Sequence, residues 1–490
     1  MSDALSEARR HKLETLRQAG IDPFPARFAR SHDIVSACQR GTGLAIGESS
    51  SESVTVAGRL VAMRSMGRAA FLDLRDGTGQ IQLHAAVDQL GEDAYRALVD
   101  CDVGDFLGVH GALFRTKRGE LSVAVHRWEL LSKSLRPLPE KWHGLRDVEL
   151  RYRHRSLDLI SNDAVRTAFR QRSRMISVLR RFLDERGFLE VETPIMQPLA
   201  GGASARPFVT HHNTLDVDLY LRVAKELYLK RLVIGGFDRV YELGRDFRNE
   251  GVSTQHNPEF TMLEIYEAYS DYSGMMALAE EMVTACAKEL HGATEIEFAG
   301  QRIDLAPPWR RVTLEEAVED ALGVTVIDAS EEDLRGAVQA KGMELPSGTR
   351  GELLAHLFET AVEDTLISPT FVCDYPVDVS PLAKFKQGSR DTVERFELFI
   401  GGMEVANAFT ELNDPDDQRR RFEAQDLLRQ QGDDEAQRID EDFLFALEHG
   451  MPPTGGIGVG IDRLAMLLTD SPSIRDVILF PAVRPKDKPA

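Results

Sequence analysis

The chain has 490 residues, which at roughly 100–200 residues per domain predicts two to four domains. Hydrophobic residues make up 42% and charged residues 28%, which is typical of globular proteins. No apolar run approaches the roughly 20 residues that span a bilayer, and the polar N-terminal segment has no apolar signal core. We therefore expect neither membrane insertion nor secretion, and we expect a cytoplasmic location.

The cysteines and the charge narrow the classes of function. Cys38, Cys101, Cys286 and Cys373 are far apart and include no C-x-x-C pair, which argues against a zinc site and fits a reducing compartment. The net charge of −20 argues against nucleic-acid binding over the whole surface. Residues 141–186 nevertheless contain twelve Lys and Arg against six Asp and Glu. Charge alone leaves open an anionic partner or a solvated helical face.

The N-terminal part predicts a helix followed by a small barrel. Residues 5–18 form an amphipathic pattern that ends at Gly20, and residues 41–51 are a Gly- and Ser-rich loop. Within residues 53–134, five alternating apolar segments follow, with a helical pattern at 93–99 after the third. This is the strand and helix order of an OB-fold, a common scaffold for single-stranded nucleic acid.

From about residue 145 the pattern becomes α+β, with a long helix over 163–186. The P-loop signature G-x-x-x-x-G-K-[ST] and the dinucleotide signature G-x-G-x-x-G are both missing from the sequence. A nucleotide, if the protein binds one, is therefore held on another scaffold.

The stretch 240–266 predicts an antiparallel hairpin. A strand period of two places side chains on common faces, Arg248 and Glu250 on the first strand, and Phe260, Met262, Glu264 and Tyr266 on the second. A guanidinium suits a phosphate and an aromatic ring can stack on a base. The pattern indicates a nucleotide site, and a surface sheet of ion pairs remains the alternative.

A second hairpin is predicted over 394–411, with its turn at Gly401-Gly402. This register pairs Phe399 with Glu404, so Glu397 and Glu404 lie diagonally on one face. Two neighbouring carboxylates repel each other unless a cation lies between them, and Mg²⁺ carried by phosphates suits such hard oxygen ligands. By strict alternation, Asn407, Phe409 and Glu411 fall on the opposite face. A pocket shared by all five side chains requires a β-bulge near 405–407.

The third stretch, 455–468, is a glycine-rich strand that leads into a helix. Glycines in a strand allow a ligand or a second backbone to approach closely. Arg463 then lies at the strand-to-helix junction, where backbone donors help to hold an anion. A packing strand with a surface arginine is the alternative.

Together these stretches resemble the signature motifs of class II aminoacyl-tRNA synthetases, with 187–194 similar to motif 1, 240–266 to motif 2 and 455–468 to motif 3. Within that class the resemblance is to the lysine-specific family, and it covers nearly the whole chain. The stretches that carry it are GGASARPFVTHHN (201–213), RVAKELYLKRL (222–232), HNPEFTMLEIYEAY (256–269), GGMEVANAFTELND (401–414), RPLPEKWHGL (136–145) and SIRDVILFP (473–481).

The resemblance implies an α+β fold in three segments. Residues 1–52 would be an N-terminal helix and linker, and residues 53–140 a five-stranded OB-fold barrel that binds the anticodon. Residues 141–490 would be a class II catalytic domain, built on an antiparallel sheet flanked by helices.

The resemblance also implies roles for individual residues. Arg248 and Arg463 would be catalytic, holding the α-phosphate and the γ-phosphate of ATP. The implied ATP-binding residues are Arg248, Glu250, His256, Asn257, Phe260, Glu397, Glu404, Gly460 and Arg463. The implied lysine-binding residues are Gly202, Glu226, Glu264, Tyr266, Asn407, Phe409 and Glu411. Glu397 and Glu404 would bind metal, and Phe71 and Gln82 would contact the anticodon.

The implied reaction joins lysine to ATP as lysyl-adenylate, with release of pyrophosphate, and then transfers lysine to the 3′ end of tRNA(Lys). It would use Mg²⁺, about two or three ions per active site, and no zinc. The partners would be ATP, lysine, tRNA(Lys) and a second copy of the chain, without a membrane.

Four residues depart from the family pattern, namely Ser156, Lys225, Asp246 and Asp470. None has an implied catalytic role, although an inward-pointing Lys225 would alter lysine affinity. Three alternatives stay open at this point. They are an aspartyl- or asparaginyl-type synthetase, a catalytically silent RNA-binding relative, and an enzyme that transfers lysine to a protein.

Overall fold

A computed structural model describes residues 2–138, 145, 147–323, 325–327, 329–340, 342, 348–433 and 435–485. The chain divides into two compact units, Met1–Gly144 and Leu145–Ala490. The boundary predicted between residues 140 and 141 lies outside the described residues. Within the described ranges, no helix has both the length and the apolar character needed to cross a membrane.

The described part of the first unit contains both helices and strands. The helices are α1 (Ser2–Gln18), α2 (Ile34–Arg40), α3 (Val87–Leu90) and α4 (Glu92–Val99). The strands are β1 (Ser49–Met66), β2 (Ala69–Arg75), β3 (Gln80–Ala86), β4 (Phe106–Arg115) and β5 (Leu121–Ser132).

In the described part of this unit, five strands close into a barrel in the order β1-β2-β3-β5-β4. Alternate residues such as Val54, Val56, Leu72 and Leu83 point inward and are fully or almost fully buried. The two short helices α3 and α4 follow the third strand. The predicted OB-fold is therefore confirmed, because period-two burial is strong enough to be read from the sequence.

Residues 34–56 fold differently from the prediction, which placed a linker before residue 53 and the first strand after it. Strand β1 begins at Ser49 rather than at 53, since Ser49 pairs with Phe114 beyond an irregularity in the ladder. Helix α2 was not predicted. Its Ile34 and Ala37 are completely buried in the barrel core, and Asp33 caps it by accepting a hydrogen bond from the Ser36 amide. The segment 34–40 thus belongs to the barrel rather than to a linker.

The second unit is larger and mixed. Its helices are α5 (Val148–Arg153), α6 (Arg155–Ser161), α7 (Asp163–Asp184), α8 (Glu226–Ile234), α9 (Tyr272–His291), α10 (Leu314–Leu322), α11 (Glu331–Ala340), α12 (Arg350–Ala361), α13 (Pro415–Gln430), α14 (Glu441–Leu447), α15 (Ile461–Leu468) and α16 (Ile474–Val477). Its strands are β6 (Leu189–Glu190), β7 (Met196–Gln197), β8 (Val209–His212), β9 (Val217–Leu221), β10 (Arg239–Phe247), β11 (Glu259–Ala268), β12 (Glu295–Phe298), β13 (Gln301–Asp304), β14 (Arg310–Thr313), β15 (Thr370–Cys373), β16 (Arg395–Ile400), β17 (Met403–Thr410) and β18 (Thr454–Gly460).

The main sheet runs β14-β15-β16-β17-β18-β11-β10-β6 within the described residues and is antiparallel except at its two edge pairs, β14–β15 and β10–β6. One face packs against α7, α9 and α15. Helix α7 contributes Met175, Val178, Leu179 and Phe182, a helical spacing that makes one apolar stripe. Leu263 and Ile265 of β11 lie in the same core. The sheet's other face contributes Val372 and Phe399 to one further apolar cluster and Val240 and Tyr266 to another, and it also carries polar side chains such as Glu264.

The two predicted hairpins are present, with one difference in the first. Strand β10 pairs antiparallel with β11, and Glu264 and Tyr266 lie opposite the core face, as predicted. However, β10 ends at Phe247, so Arg248 and Glu250 are in the loop that follows and not on the strand. The Arg248 amide still donates to the Pro258 carbonyl (2.9 Å), which keeps the loop's base closed.

The predicted bulge in the second hairpin is confirmed. Phe399 pairs with Glu404 and Leu398 pairs with Ala406, so Val405 is the extra residue. Val405 and Ala406 are both buried in the core. This insertion reverses the alternation beyond it, which allows Glu404 and Asn407 to face the same side of the sheet.

The turn of this hairpin gives a prediction on stability. Gly401 has φ +65°, and a Cβ there would lie 2.9 Å from Phe298 and 3.0 Å from Leu467. We expect Gly401→Val to lower the free energy of unfolding of the second unit by about 2–4 kcal/mol, because left-handed strain adds to overpacking. Gly300 has φ +78° and no atom within 4 Å of its added Cβ. Gly300→Val is the control and should lower the free energy of unfolding, measured with denaturant, by less than Gly401→Val does. Equal losses in the two variants would show that packing around Gly401 does not contribute.

Candidate active site

A cavity of about 670 Å³ lies in the second unit. Every residue that the sequence assigned to ATP or lysine lines it. They come from the loop before β8, the start of α8, the β10–β11 hairpin, the β16–β17 hairpin, and the junction of β18 with α15. One cavity therefore collects side chains that are more than 200 residues apart in the chain.

One end of the cavity presents a cation beside an aromatic ring. The Arg248 guanidinium carbon lies 5.1 Å from the centre of the Phe260 ring. Arg248 Nε is buried without a hydrogen-bond partner. Among the described residues, no carboxylate lies within ion-pair distance of Arg248. An anionic group with a flat ring system would satisfy both side chains.

Arg463 lies close by in the first turn of α15 and is held in place. Its Nη1 donates to the Glu404 carboxylate (2.9 Å) and to the Glu404 carbonyl (2.7 Å). His256 Nε2 lies 3.4 Å from Arg463 Nη2. Burial, together with Arg463, lowers the pKa of His256, so its imidazole is neutral near pH 7. This end of the cavity therefore combines Arg248, a neutral imidazole and an arginine that is paired with Glu404.

Asn257 lines the cavity, but its amide group already has backbone partners. Its Nδ2 donates to the Glu259 carbonyl (2.6 Å), and its Oδ1 accepts from the Ala482 amide (3.0 Å). Its contacts thus tie the hairpin loop to the C-terminal segment.

Glu397 and Glu404 line the same wall. The Glu397 carboxylate accepts from Arg395 (2.5 Å), Tyr375 (2.8 Å) and Asn407 (3.2 Å). Burial and then Glu404 raise the pKa of Glu397, although Arg395 lowers it. Glu363 stands nearby, and burial together with Glu404 and Glu397 raises its pKa to about 7. Acidic groups are thus in excess at this wall.

These donors fit a hard divalent cation that is shared with a ligand. Of the roughly four lone-pair sites on a carboxylate, Glu397 uses three, so one remains. Within the described ranges, no group of three or more His, Cys, Asp or Glu side chains could hold a metal alone. The residues present would therefore need phosphate oxygens to complete a coordination sphere.

The other end of the cavity is a buried cluster of glutamates. Glu226 begins α8, Glu264 lies on β11 and Glu411 follows β17, and each is at most 6% exposed. Lys230 is completely buried between two of them, with its ammonium 2.5 Å from Glu226 and in direct contact with Glu411. Glu264 accepts from the Tyr266 hydroxyl (3.3 Å) and from the Lys225 amide (2.9 Å).

The charges at this end do not balance. When all three are ionised, Glu226, Glu264 and Glu411 together carry two more charges than Lys230. Burial raises the pKa of Glu226 and raises that of Glu411 to about 8, although Lys230 lowers both. A guest with two ammonium groups would balance the site.

Glycines make room for this cluster. Strand β18 lies between β11 and β17, and Gly456 pairs with Tyr266 on one side and Phe409 on the other. A Cβ on Gly456 would lie 2.0 Å from the Glu411 carboxylate and 2.6 Å from the Tyr266 ring. Gly202 has φ +87° and would crowd Glu226. The glycine strand thus makes space for protein side chains of the pocket itself.

Sequence reasoning missed Lys230, which is buried against two of the glutamates, and it missed Arg395 and Gln437 among the residues that line the cavity. The i,i+4 spacing of Glu226 and Lys230 on a helix was a readable signal for the first. Arg395 lies two residues before Glu397 on one strand face, which was a weaker signal. Gln437, whose Oε1 accepts from the Gly202 amide (3.3 Å), comes from a loop and had no local signal.

The barrel places Phe71 and Gln82 on its outer surface. Phe71 on β2 pairs with His84 on β3, with ring centres 5.0 Å apart, and His84 also contacts Phe114 (5.7 Å). Gln82 Oε1 accepts from the Ser122 hydroxyl (3.0 Å). An outward row of partly exposed rings is a surface on which bases can stack.

Comparison with known proteins agrees with this geometry. The family described as tRNA synthetases class II (D, K and N) matches residues 147–484, and the OB-fold nucleic acid binding domain matches 54–131. The lysine–tRNA ligase of Moorella thermoacetica is 56% identical over 99% of this chain and 98% of its own length. Those of Pelotomaculum thermopropionicum and Prochlorococcus marinus are 53% and 54% identical, each over 99% of this chain, and over 95% and 98% of their own lengths.

The chain belongs to the class II lysine–tRNA ligase family. Two of the four departures from that family's pattern contact each other in this synthetase, since the Lys225 ammonium lies 2.6 Å from the Asp246 carboxylate. Asp470 adopts φ +46°, a region that Asp and Asn tolerate, and accepts from the Ala299 amide (2.9 Å). Nothing in the structure explains Ser156.

The glutamate cluster gives a first prediction. We expect Glu264→Gln to lower lysine-dependent ATP–pyrophosphate exchange by roughly a hundredfold, because a buried ammonium would lose its counter-charge. Gln keeps the acceptor for the Lys225 amide, so thermal unfolding should change little. Glu259→Gln, on the same strand but away from the cavity, is the matched control. Near-wild-type exchange by Glu264→Gln would refute this role for Glu264.

The raised pKa of Glu411 gives a second prediction. In the empty cavity this carboxyl holds a proton up to about pH 8, whereas an incoming ammonium requires the ionised form. The KM for lysine should therefore fall by roughly fifteenfold as the pH rises from 6.5 to 8, and level off above about pH 9. The KM for ATP over the same range is the internal control. A lysine KM that is flat or rises with pH would contradict this assignment.

Proposed function

We propose that this chain activates lysine with ATP and transfers it to the 3′ end of tRNA(Lys). The observation that carries the proposal is one cavity with two ends of opposite character. An unpaired arginine lies beside an aromatic ring at one end, and the carboxylates in excess of ammonium lie at the other. Lysine is the amino acid that matches the second end, because it carries two ammonium groups.

In the first step, the lysine carboxylate attacks the α-phosphorus of ATP in line, and pyrophosphate leaves. Arg248 would hold the substrate carboxylate and the α-phosphate together, with Phe260 stacked on adenine. Arg463 would bind the γ-phosphate after exchanging part of its contact with Glu404. No protein nucleophile is required, since positioning and charge neutralisation lower the barrier.

Glu397 and Glu404 are the residues that would hold Mg²⁺ together with the phosphates. The ion would neutralise the charge of the polyphosphate. The chain's own contribution at this wall is to orient the two carboxylates, Glu397 through Arg395 and Tyr375, and Glu404 through Arg463.

Selection of lysine follows from the cost of leaving buried charge without a partner. A neutral amino acid would leave part of the glutamate cluster uncompensated, a penalty of several kcal/mol or roughly a thousandfold in binding. Aspartate would bring a further carboxylate to the acidic end of the cavity, and asparagine would bring an uncharged amide. The glutamate cluster therefore disfavours both amino acids. Arginine would have to be excluded by the shape of its larger planar head.

In the second step, the terminal ribose 3′-hydroxyl of the tRNA attacks the lysyl-adenylate and AMP leaves. The outward rings of the barrel support anticodon binding, with Phe71 stacked on a base and Gln82 hydrogen-bonded to one. This surface favours tRNA over a protein as the lysine acceptor. The reaction would take place in the cytoplasm, where its tRNA substrate is found.

A homodimer is proposed from exposed apolar side chains around motif 1. Leu189 lies on the edge strand β6 of the main sheet and is 47% exposed, and Ile195 and Met196 are 47% and 55% exposed. Covering such side chains with a second copy would stabilise this edge. Sedimentation equilibrium should give twice the chain mass, and a monomer at micromolar concentration would contradict the proposal.

The test of the function is pyrophosphate exchange with each of the twenty amino acids, followed by charging of total tRNA. We expect exchange with lysine alone and incorporation of labelled lysine into tRNA. Exchange driven by aspartate or asparagine would overturn the substrate assignment. Binding of tRNA without any exchange would favour a silent RNA-binding protein.

The outer face of the barrel gives a further prediction. Phe71→Ala should raise the KM for tRNA by roughly five- to a hundredfold, since stacking on a base is worth about 1–3 kcal/mol, and should leave pyrophosphate exchange unchanged. Phe24→Ala, which removes another exposed ring of the same unit, is the control. Equal loss of charging and exchange in Phe71→Ala would indicate a folding role for Phe71.

A further inference from the structure

A second buried charge network lies directly behind the lysine end of the cavity. Lys225 and Asp246 are both at most 1% exposed, and their Nζ and Oδ2 atoms are 2.6 Å apart. Arg222 lies 3.1 Å from the other Asp246 oxygen and 2.6 Å from Glu242. When both carboxylates are ionised, the two cations and the two carboxylates cancel, so the network is then neutral overall.

Lys225 touches the substrate cluster in two ways. Its backbone amide donates to Glu264 Oε1 (2.9 Å), and its ammonium lies 3.9 Å from the same oxygen. The ammonium's shorter contact is with the Asp246 carboxylate. Lys225 and Arg222 pack closely against Gly244 of β10. A Cβ on Gly244 would lie 3.3 Å from Lys225 Cε and 2.5 Å from Arg222, so the side chains have little free space there.

We propose that Asp246 holds the Lys225 ammonium away from Glu264, so that Glu264 remains free to bind the ammonium of the substrate. Asp246 is then a positioning residue, which acts on the substrate through Glu264 by holding the Lys225 ammonium aside. This inference rests on the proposed function. It explains why the Lys225 ammonium can lie next to the glutamate cluster without preventing that cluster from binding the substrate's ammonium.

The two partners are not equivalent in this arrangement. Among the described residues, Glu264 is the other carboxylate within ion-pair distance of the Lys225 ammonium, so without the Asp246 charge this ammonium would occupy the substrate's place electrostatically. Without Lys225, Asp246 keeps Arg222 as a partner. Burial already raises the pKa of Asp246 to about 7, so this carboxyl can take a proton rather than remain a bare buried charge. Loss of the carboxylate should therefore harm lysine binding, whereas loss of the ammonium should not.

The test compares Asp246→Asn, Lys225→Met and the double variant by lysine-dependent pyrophosphate exchange in the full chain. We expect Asp246→Asn to raise the KM for lysine at least tenfold, with the KM for ATP changed less than threefold. Lys225→Met should stay within threefold of wild type for lysine, and the double variant should match Lys225→Met. Asp158→Asn is the control, because Asp158 is an equally buried carboxylate, bonded to Arg155 and outside the cavity.

An unchanged lysine KM in Asp246→Asn, or a double variant as impaired as Asp246→Asn, would overturn the inference. Should Asp246→Asn not fold, the comparison of Lys225→Met with the double variant still decides. If Lys225→Met and the double variant have equal KM values for lysine, the effect of Asp246 passes through Lys225. A tenfold difference between these two variants refutes the inference. A wild-type chain that shows no lysine-dependent exchange would instead refute the proposed function.

Discussion

The site depends on an excess of buried negative charge that the chain compensates only in part. Glu226, Glu264 and Glu411 are withdrawn from water, and Lys230 is the ammonium that the fold places among them. Complete neutralisation would leave nothing for a cationic guest, whereas no neutralisation would cost several kcal/mol per ion. One internal ammonium stabilises the empty cavity and still leaves room for the substrate's charge.

Much of the architecture could be predicted from local rules. The alternation in β1–β5 specified the barrel, and Gly401-Gly402 fixed the register of the β16–β17 hairpin. The bulge at Val405 was predictable because Glu404 and Asn407 could not otherwise share a pocket. Helix α2 could not be found in this way, since seven residues carry little periodic signal and its buried face depends on the barrel beneath it. The end of β10 at Phe247 was missed because alternation does not show where pairing stops.

The candidate site could be predicted as a set of residues but not as a set of contacts. The family likeness selected side chains that do line one cavity. It could not show that Lys225 points to Asp246, or that Arg395 supports Glu397, because those partners depend on side-chain directions between separate elements. Pairing of buried charges is decided by the packed structure, where desolvation removes every alternative partner.

The position of α2 against the barrel has a practical consequence for dissecting the protein. Ile34 and Ala37 are as deeply buried as the barrel's own strands. A fragment trimmed to begin at the first strand would expose part of its interior and lose the cap that Asp33 provides. An isolated nucleic-acid-binding fragment should therefore start upstream of residue 33, well before the region where the strand pattern begins.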